Sequence, residues 1–288
     1  MLGKSWRFID TGISNGFLNM AVDEAMLDAH LKDFVPPTLR VYRWSPPALS
    51  IGYFQSLEED VLQQRCSQMG IDIVRRITGG RSVFHHDELT YSVVASERYG
   101  LPKSTAHSYK LLNEGLIAAY GILGLEVCLV PSEKWLSSAA CFSSAGLADL
   151  TFEGRKIAGS AQFRKGDTLL QHGSLPISLD AQLYLSLLRF PAESGRVKVS
   201  TAFSKKATSI SEILGSQIGW QELKNALFTG FQKGLGIELH EETLTPEEHD
   251  LSQKLAREKY STLLWNYYGR DNSERAQSAI PEAASLVP

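Results

Sequence analysis

Three cysteines in 288 residues, Cys66, Cys128 and Cys141, are too few and odd in number for a disulfide framework. They leave room for one reactive thiol in a reducing compartment. No Cys-x-x-Cys or His-x-x-x-His spacing occurs, so no zinc site is expected. Positive charge is not in excess either: the formal net charge is −3, which gives no electrostatic reason to bind nucleic acid. No uninterrupted apolar run approaches the ~20 residues of a membrane helix. The opening MLGKSWRFIDTG also lacks the apolar centre of a secretory signal. The chain is therefore expected to be cytoplasmic, with no membrane partner.

What is present is a composition suited to burying a sizeable core, 43% hydrophobic and 21% charged. Residues 15–31 read as a helix of good helix formers, with Ser14 or Asn19 as candidate caps. TLRVYRW and ALSIGYF read as strands separated by a turn at Ser45, Pro46 and Pro47. Residues 58–69 and 104–123 have helical spacing; in the second, Leu111, Leu112, Gly115, Leu116 and Ala119 repeat on one face. IDIVRRIT, SVFHHDELTYSVVAS, LEVCLVP, DLTFEGRKIAGSAQFR and TLLQHGSLPIS are strand-like, and helices return over 220–235 and 246–260. Strands clustered in hairpins predict an α+β fold, with mixed or antiparallel sheets flanked by helices. A catalytic domain over 1–240 and a short helical extension over 241–288 are expected.

Three segments carry candidate chemistry. In RRITGGRSVFHH (75–86), adjacent glycines let the backbone approach a ligand closely, and flanking arginines suit an anionic or thioester oxygen. A plain hairpin turn with solvated arginines fits the spacing equally well. In GRKIAGSAQ (154–162), Lys156 sits among small and apolar neighbours. If buried there, its ammonium form is disfavoured and the amine can act as a base; an exposed strand lysine is the commoner case. In SSAACFSS, Cys141 lies among small residues in an expected loop, whereas Cys66 and Cys128 lie within apolar patterns. A thiolate needs a neighbouring cation or base, and Lys156 follows fifteen residues later.

Taken together with NMAVDEAML, PTLRVYRWSPPALSIGYFQ, ACF and LQHGSLPI, in that order, these segments resemble the lipoate and octanoate transferase family, which shares its fold with biotin protein ligases. The resemblance implies that Cys141 carries an acyl thioester and that Lys156 lowers the thiol pKa and moves protons. It implies that Arg75, Arg76, Gly79, Gly80, Arg81, Val83 and His85, with Gly159 and Ala161, bind the substrate. An apolar tunnel is expected, walled by Val83, Phe84, Val93 and Ala161. The implied reaction moves octanoate from acyl carrier protein to a lysine of a lipoyl-accepting protein such as the glycine cleavage H protein, with no cofactor. The ATP-using ligases of the family carry a third glycine where Arg81 stands here, and an asparagine-aspartate pair whose asparagine is absent; both differences weaken the case for adenylate formation. His86 stands where an acidic residue is expected. An amidotransferase moving octanoyl or lipoyl groups between carrier domains, an ATP-dependent lipoate ligase and a non-catalytic scaffold remain as alternatives.

Overall fold

The computed structural model describes residues 2–131, 148–190 and 192–269. Its first half runs β1 (Ser5–Ser14), α1 (Gly16–Leu31), β2 (Thr38–Trp44), β3 (Ala48–Ile51), α2 (Leu57–Asp60), α3 (Gln63–Gln68), β4 (Asp72–Arg75), β5 (Val83–His85), β6 (Glu88–Ser96) and α4 (Thr105–Ile122). There follow β7 (Cys128–Pro131), β8 (Ala148–Phe152), β9 (Arg155–Lys165), β10 (Thr168–Pro176), α5 (Ala181–Ser186), α6 (Glu193–Lys206), α7 (Ile210–Leu214), α8 (Trp220–Leu235), β11 (Glu238–Glu242), α9 (Pro246–Leu255) and α10 (Leu263–Tyr268). The strands form an eight-stranded sheet, β11-β1-β2-β6-β10-β9-β8-β7, and a three-stranded sheet, β4-β3-β5. Pairing is parallel at β11-β1-β2 and β4-β3 and antiparallel elsewhere. This is the expected α+β class with mixed sheets.

Strand alternation gives the large sheet two unlike faces. Leu39 and Val41 of β2, Leu89, Tyr91 and Val93 of β6, and Leu169 and Leu175 of β10 form one apolar face under α4 and α8. Those two helices approach closely because glycines line their contact. A Cβ on Gly230 would lie 2.4 Å from Ala119 N, and one on Gly115 would lie 2.9 Å from the Phe231 ring. On the opposite face α1 lays Val22, Met26 and Leu27 against Val94 and Leu170. The buried, bidentate Arg7–Glu248 pair, at 2.6 and 2.9 Å, ties α9 to β1.

Several local expectations change. Asn15, not Ser14 or Asn19, caps α1: its side chain accepts from Leu18 N at 2.9 Å, a contact worth about 1 kcal/mol. Asn19 is buried and donates to the Ser14 and Arg43 carbonyls. Ser45, Pro46 and Pro47 separate two strands, as expected, but β2 and β3 belong to different sheets. The helix expected over 58–69 is two short ones, because Val61 is extended (φ −125, ψ 137) and pairs with Leu188. Burying that valine in the core of the small sheet overrides helical propensity.

Candidate active site

Two rungs of the large sheet build the floor of a cleft. Tyr42, Thr90, Ser174 and Gly159 lie side by side across β2, β6, β10 and β9, and so do Arg40, Ser92, His172 and Ala161, of which Arg40 and Ser92 are fully buried and do not line the cleft. All point away from the α4/α8 core. The small sheet and the turn after β4 supply Ser50, Arg76, Gly80, Val83 and His85, and α1 supplies Met20. The cleft encloses about 420 Å³ of non-atom space, part of it open solvent.

Six of the residues expected at the substrate, Arg76, Gly80, Val83, His85, Gly159 and Ala161, line this cleft. Gly79 lies beside it, on a wider groove with Tyr53, Phe54 and Trp265. Gly80 has φ +94, which favours glycine, and its carbonyl sits where a Cβ on Gly52 would be, 2.0 Å away. Arg81 is half-buried at the far end of this turn, and its carbonyl accepts from Arg76. Of the expected tunnel walls, Phe84 and Val93 face elsewhere. Alternation turns Phe84 onto Tyr184 and places Val93 in the α4/α8 core.

The two arginines point their donors at the protein itself. Arg75 donates to the carbonyls of Gly52, Tyr53 and Gln55 at 2.7–3.1 Å, and to those of Trp265, Asn266 and Tyr267 at 2.7–3.2 Å. It fastens the 52–55 segment to α10. Burial pulls its pKa down to about 10, still charged at neutral pH. A guanidinium has five N–H donors, and Arg76 directs Nε to Thr78 Oγ1 at 3.3 Å and Nη1 to Ser50 O and Oγ at 3.0 and 2.8 Å. Its Nη2 reaches the Gly79 and Arg81 carbonyls at 3.0 and 3.1 Å.

Lys156 is 5% exposed, and its Nζ lies 2.7 Å from Asp149 Oδ1. A β-bulge aims it. Leu150 pairs with Ala158 and Thr151 with Lys156, so Ile157 is an extra residue in β9. Ile157 and Ala158 both enter the core, which returns Lys156 to the face that carries Gly159 and Ala161. Cys141 lies outside the described residues. The chain flanking 132–147 is fixed at both ends by the Pro131–Ala148 pair of β7 and β8.

His85 was legible in the sequence as a site residue; the polar groups that join it around the cleft were not. His85 Nδ1 lies 2.8 Å from Glu88 Oε1, and its Nε2 lies 2.7 Å from Ser50 Oγ. Trp44 stacks on that imidazole at 3.9 Å and donates to Thr90 Oγ1, which in turn donates to Glu88. His172 Nδ1 lies 2.9 Å from Asp23 Oδ2, and its Nε2 lies 2.7 Å from Thr78 Oγ1. Burial opposes the charge on Asp23, but Arg40 at 2.6 Å and His172 together hold its carboxyl below the usual range. For Glu88 burial likewise opposes charge, and His85, Ser174 and Thr90 outweigh it. Burial pushes His172 below its ordinary value despite Asp23. The available signal was polar residues at alternate positions of apolar runs, Thr90 and Ser92 in one strand, His172 and Ser174 in another.

Comparison with known proteins matches residues 15–232 to the lipoyl protein ligase A/B catalytic domain. The octanoyltransferase LipM of Geobacillus kaustophilus is 42% identical over 276 residues, covering 93% of this chain and 99% of that protein. A bipartite lipoate protein ligase from Thermoplasma acidophilum has a similar structure, with a TM-score of 0.78 and 27% identity, covering 92% of this chain and 97% of that one. A lipoate-protein ligase A bound with ATP gives a TM-score of 0.74 at 27% identity, covering 93% and 99%.

Proposed function

The chain belongs to the lipoyl protein ligase A/B catalytic domain family and is an acyltransferase; we propose that it moves an octanoyl group from acyl carrier protein, through a thioester on Cys141, to a lysine of a lipoyl-accepting protein such as the glycine cleavage H protein. The observation that carries this reading is Lys156: a buried amine, fixed by Asp149 at 2.7 Å and turned by a bulge onto the strand face that lines an apolar cleft. Cys141, eight residues before Asp149 in the sequence, is the thiol that this reading pairs with that amine.

In the first step the Cys141 thiolate attacks the octanoyl carbonyl. The resulting tetrahedral oxyanion collapses, the bond to the carrier's sulfur breaks, and the carrier leaves as its thiol. In the second step the acceptor lysine amine attacks the acyl-enzyme, loses a proton, and displaces the Cys141 sulfur. In this mechanism the Lys156 ammonium favours the thiolate and gives its proton to the departing carrier sulfur, and the amine so formed takes the proton from the incoming nucleophile. A thioester lies above an amide in free energy, so the sequence needs no ATP. Removing the methylenes of an octanoyl chain from water contributes roughly 5 kcal/mol, at ~0.8 kcal/mol each. Met20, Trp44, Val83 and Ala161 offer the apolar surface.

The choice of donor tests the reading. Purified enzyme is offered octanoyl–acyl carrier protein, octanoylated H protein, or lipoate with ATP, each with unmodified lipoyl domain as acceptor. Fastest transfer from octanoyl–acyl carrier protein is expected. A preference for the octanoylated H protein would make the enzyme an amidotransferase. Lipoate modification with ATP that survives Cys141→Ala would make it a ligase.

A further inference from the structure

Two chains of side chains, each carboxylate, imidazole and hydroxyl in turn, end on one guanidinium. Asp23, His172 and Thr78 come from α1, β10 and the turn after β4; Glu88, His85 and Ser50 come from the large and small sheets. Thr78 Oγ1 and Ser50 Oγ both accept from Arg76, at 3.3 and 2.8 Å. An ionised Asp23 can only accept, so His172 Nδ1 carries a hydrogen and the neutral ring presents Nε2 as acceptor. The Thr78 hydroxyl therefore gives its hydrogen to His172 and its lone pair to Arg76. Thr78 is fully buried, so its hydroxyl has no water to turn to and its direction is set by these two partners.

Arg76 in turn holds the carbonyls of Gly79 and Arg81. In a planar trans peptide the N–H lies opposite the C=O. With the Gly79 carbonyl drawn to Arg76, the N–H of Gly80 is turned away from the guanidinium. We propose that Asp23, His172 and Thr78, with Glu88, His85 and Ser50, are positioning residues that lock Arg76, and through it the 79–81 turn, so that Gly80 N–H donates to the acyl oxygen. This rests on the reading that an acyl thioester occupies the cleft. Arg76 then acts through the backbone it orients.

Thr78→Val removes the hydroxyl at constant shape, and Thr78→Ser keeps it. Acylation of Cys141 by octanoyl–acyl carrier protein is followed by intact mass in single turnovers at varied donor concentration. For Thr78→Val the maximal rate should fall between about ten- and a hundredfold, with the half-saturating donor concentration within about twofold of wild type, because orientation is lost and binding is not. Thr78→Ser should restore most of the rate. If Thr78→Val fails to fold, by thermal melting, Ser50→Ala against Ser50→Thr makes the same comparison on the other chain. A wild-type rate in Thr78→Val or Ser50→Ala, or a serine variant as slow as the valine one, overturns the positioning role. Absence of any octanoyl adduct on wild-type Cys141 removes the parent reading and this one together.

Discussion

The two faces of the large sheet do opposite things with the same strands. Toward α4 and α8, β6 presents Leu89, Tyr91 and Val93, and the helices close down until glycine is needed at their contact. Toward α1, the same strand presents Thr90 and Ser92, beside His172 and Ser174 of β10, with Asp23 and Glu88 buried behind them. Close apolar packing stabilises the first face. The second buries ionised groups, which are tolerated only because each has a partner at hydrogen-bond distance. The candidate site therefore lies where the fold gives up apolar burial, and substitutions of similar size should have different consequences on the two sides.

The largest effect is expected at the bulge. Lys156→Ala should slow acyl transfer by about a thousandfold per folded molecule, and it should also lower the melting temperature, because the buried Asp149 carboxylate loses its lysine; a near-wild-type rate per folded molecule would detach that face from catalysis. Next comes a matched pair of glycines. Gly52→Ala puts a Cβ 2.0 Å from the Gly80 carbonyl and displaces the turn, for an expected loss of about a hundredfold in kcat. Gly230→Ala instead puts one 2.4 Å from the Ala119 backbone. It should cost about 2 kcal/mol in urea unfolding, while activity per folded molecule stays unchanged. If Gly230→Ala lost activity and Gly52→Ala lost only stability, the division between the faces would fail.

The smallest effect is a pH dependence. In the folded chain, burial lowers the pKa of His172 and of His30 below the ordinary 6.5. As pH falls, the unfolded chain takes up these protons first, so stability should decline as pH drops through about 6.5 toward the folded values. Asp23 and Glu88, held low, contribute stability that is lost only below the usual carboxylate range. The urea midpoint should therefore be lower at pH 5.5 than at pH 7.5, and His172→Gln should narrow the difference. Equal midpoints would show that burial of these rings leaves no mark on stability.

Much of this was legible along the chain because it is local. The helices over 16–31, 105–122 and 220–235 follow from apolar spacing, and the runs through 38–44, 88–96 and 168–176 read as strands. The break at Val61 was not legible, since its strand partner, Leu188, lies far off in sequence. The bulge at Ile157 was hidden for a related reason: it exists only in register with β8. At the site, RRITGG marked the turn, but not that Arg75 would face α10 while Arg76 gathers the turn's carbonyls. His172 lay within a quoted motif without a role, because its partners Asp23 and Thr78 come from two other elements. Contacts between distant segments, rather than residue types, carried what was missed.

One mass measurement is the most direct test of the Cys141 thioester. Wild-type protein mixed with octanoyl–acyl carrier protein, without acceptor, should gain a single octanoyl group, mapped by peptide fragmentation to Cys141 and discharged when a lipoyl domain is added. Transfer to the lipoyl domain with Cys141 unmodified throughout would contradict it.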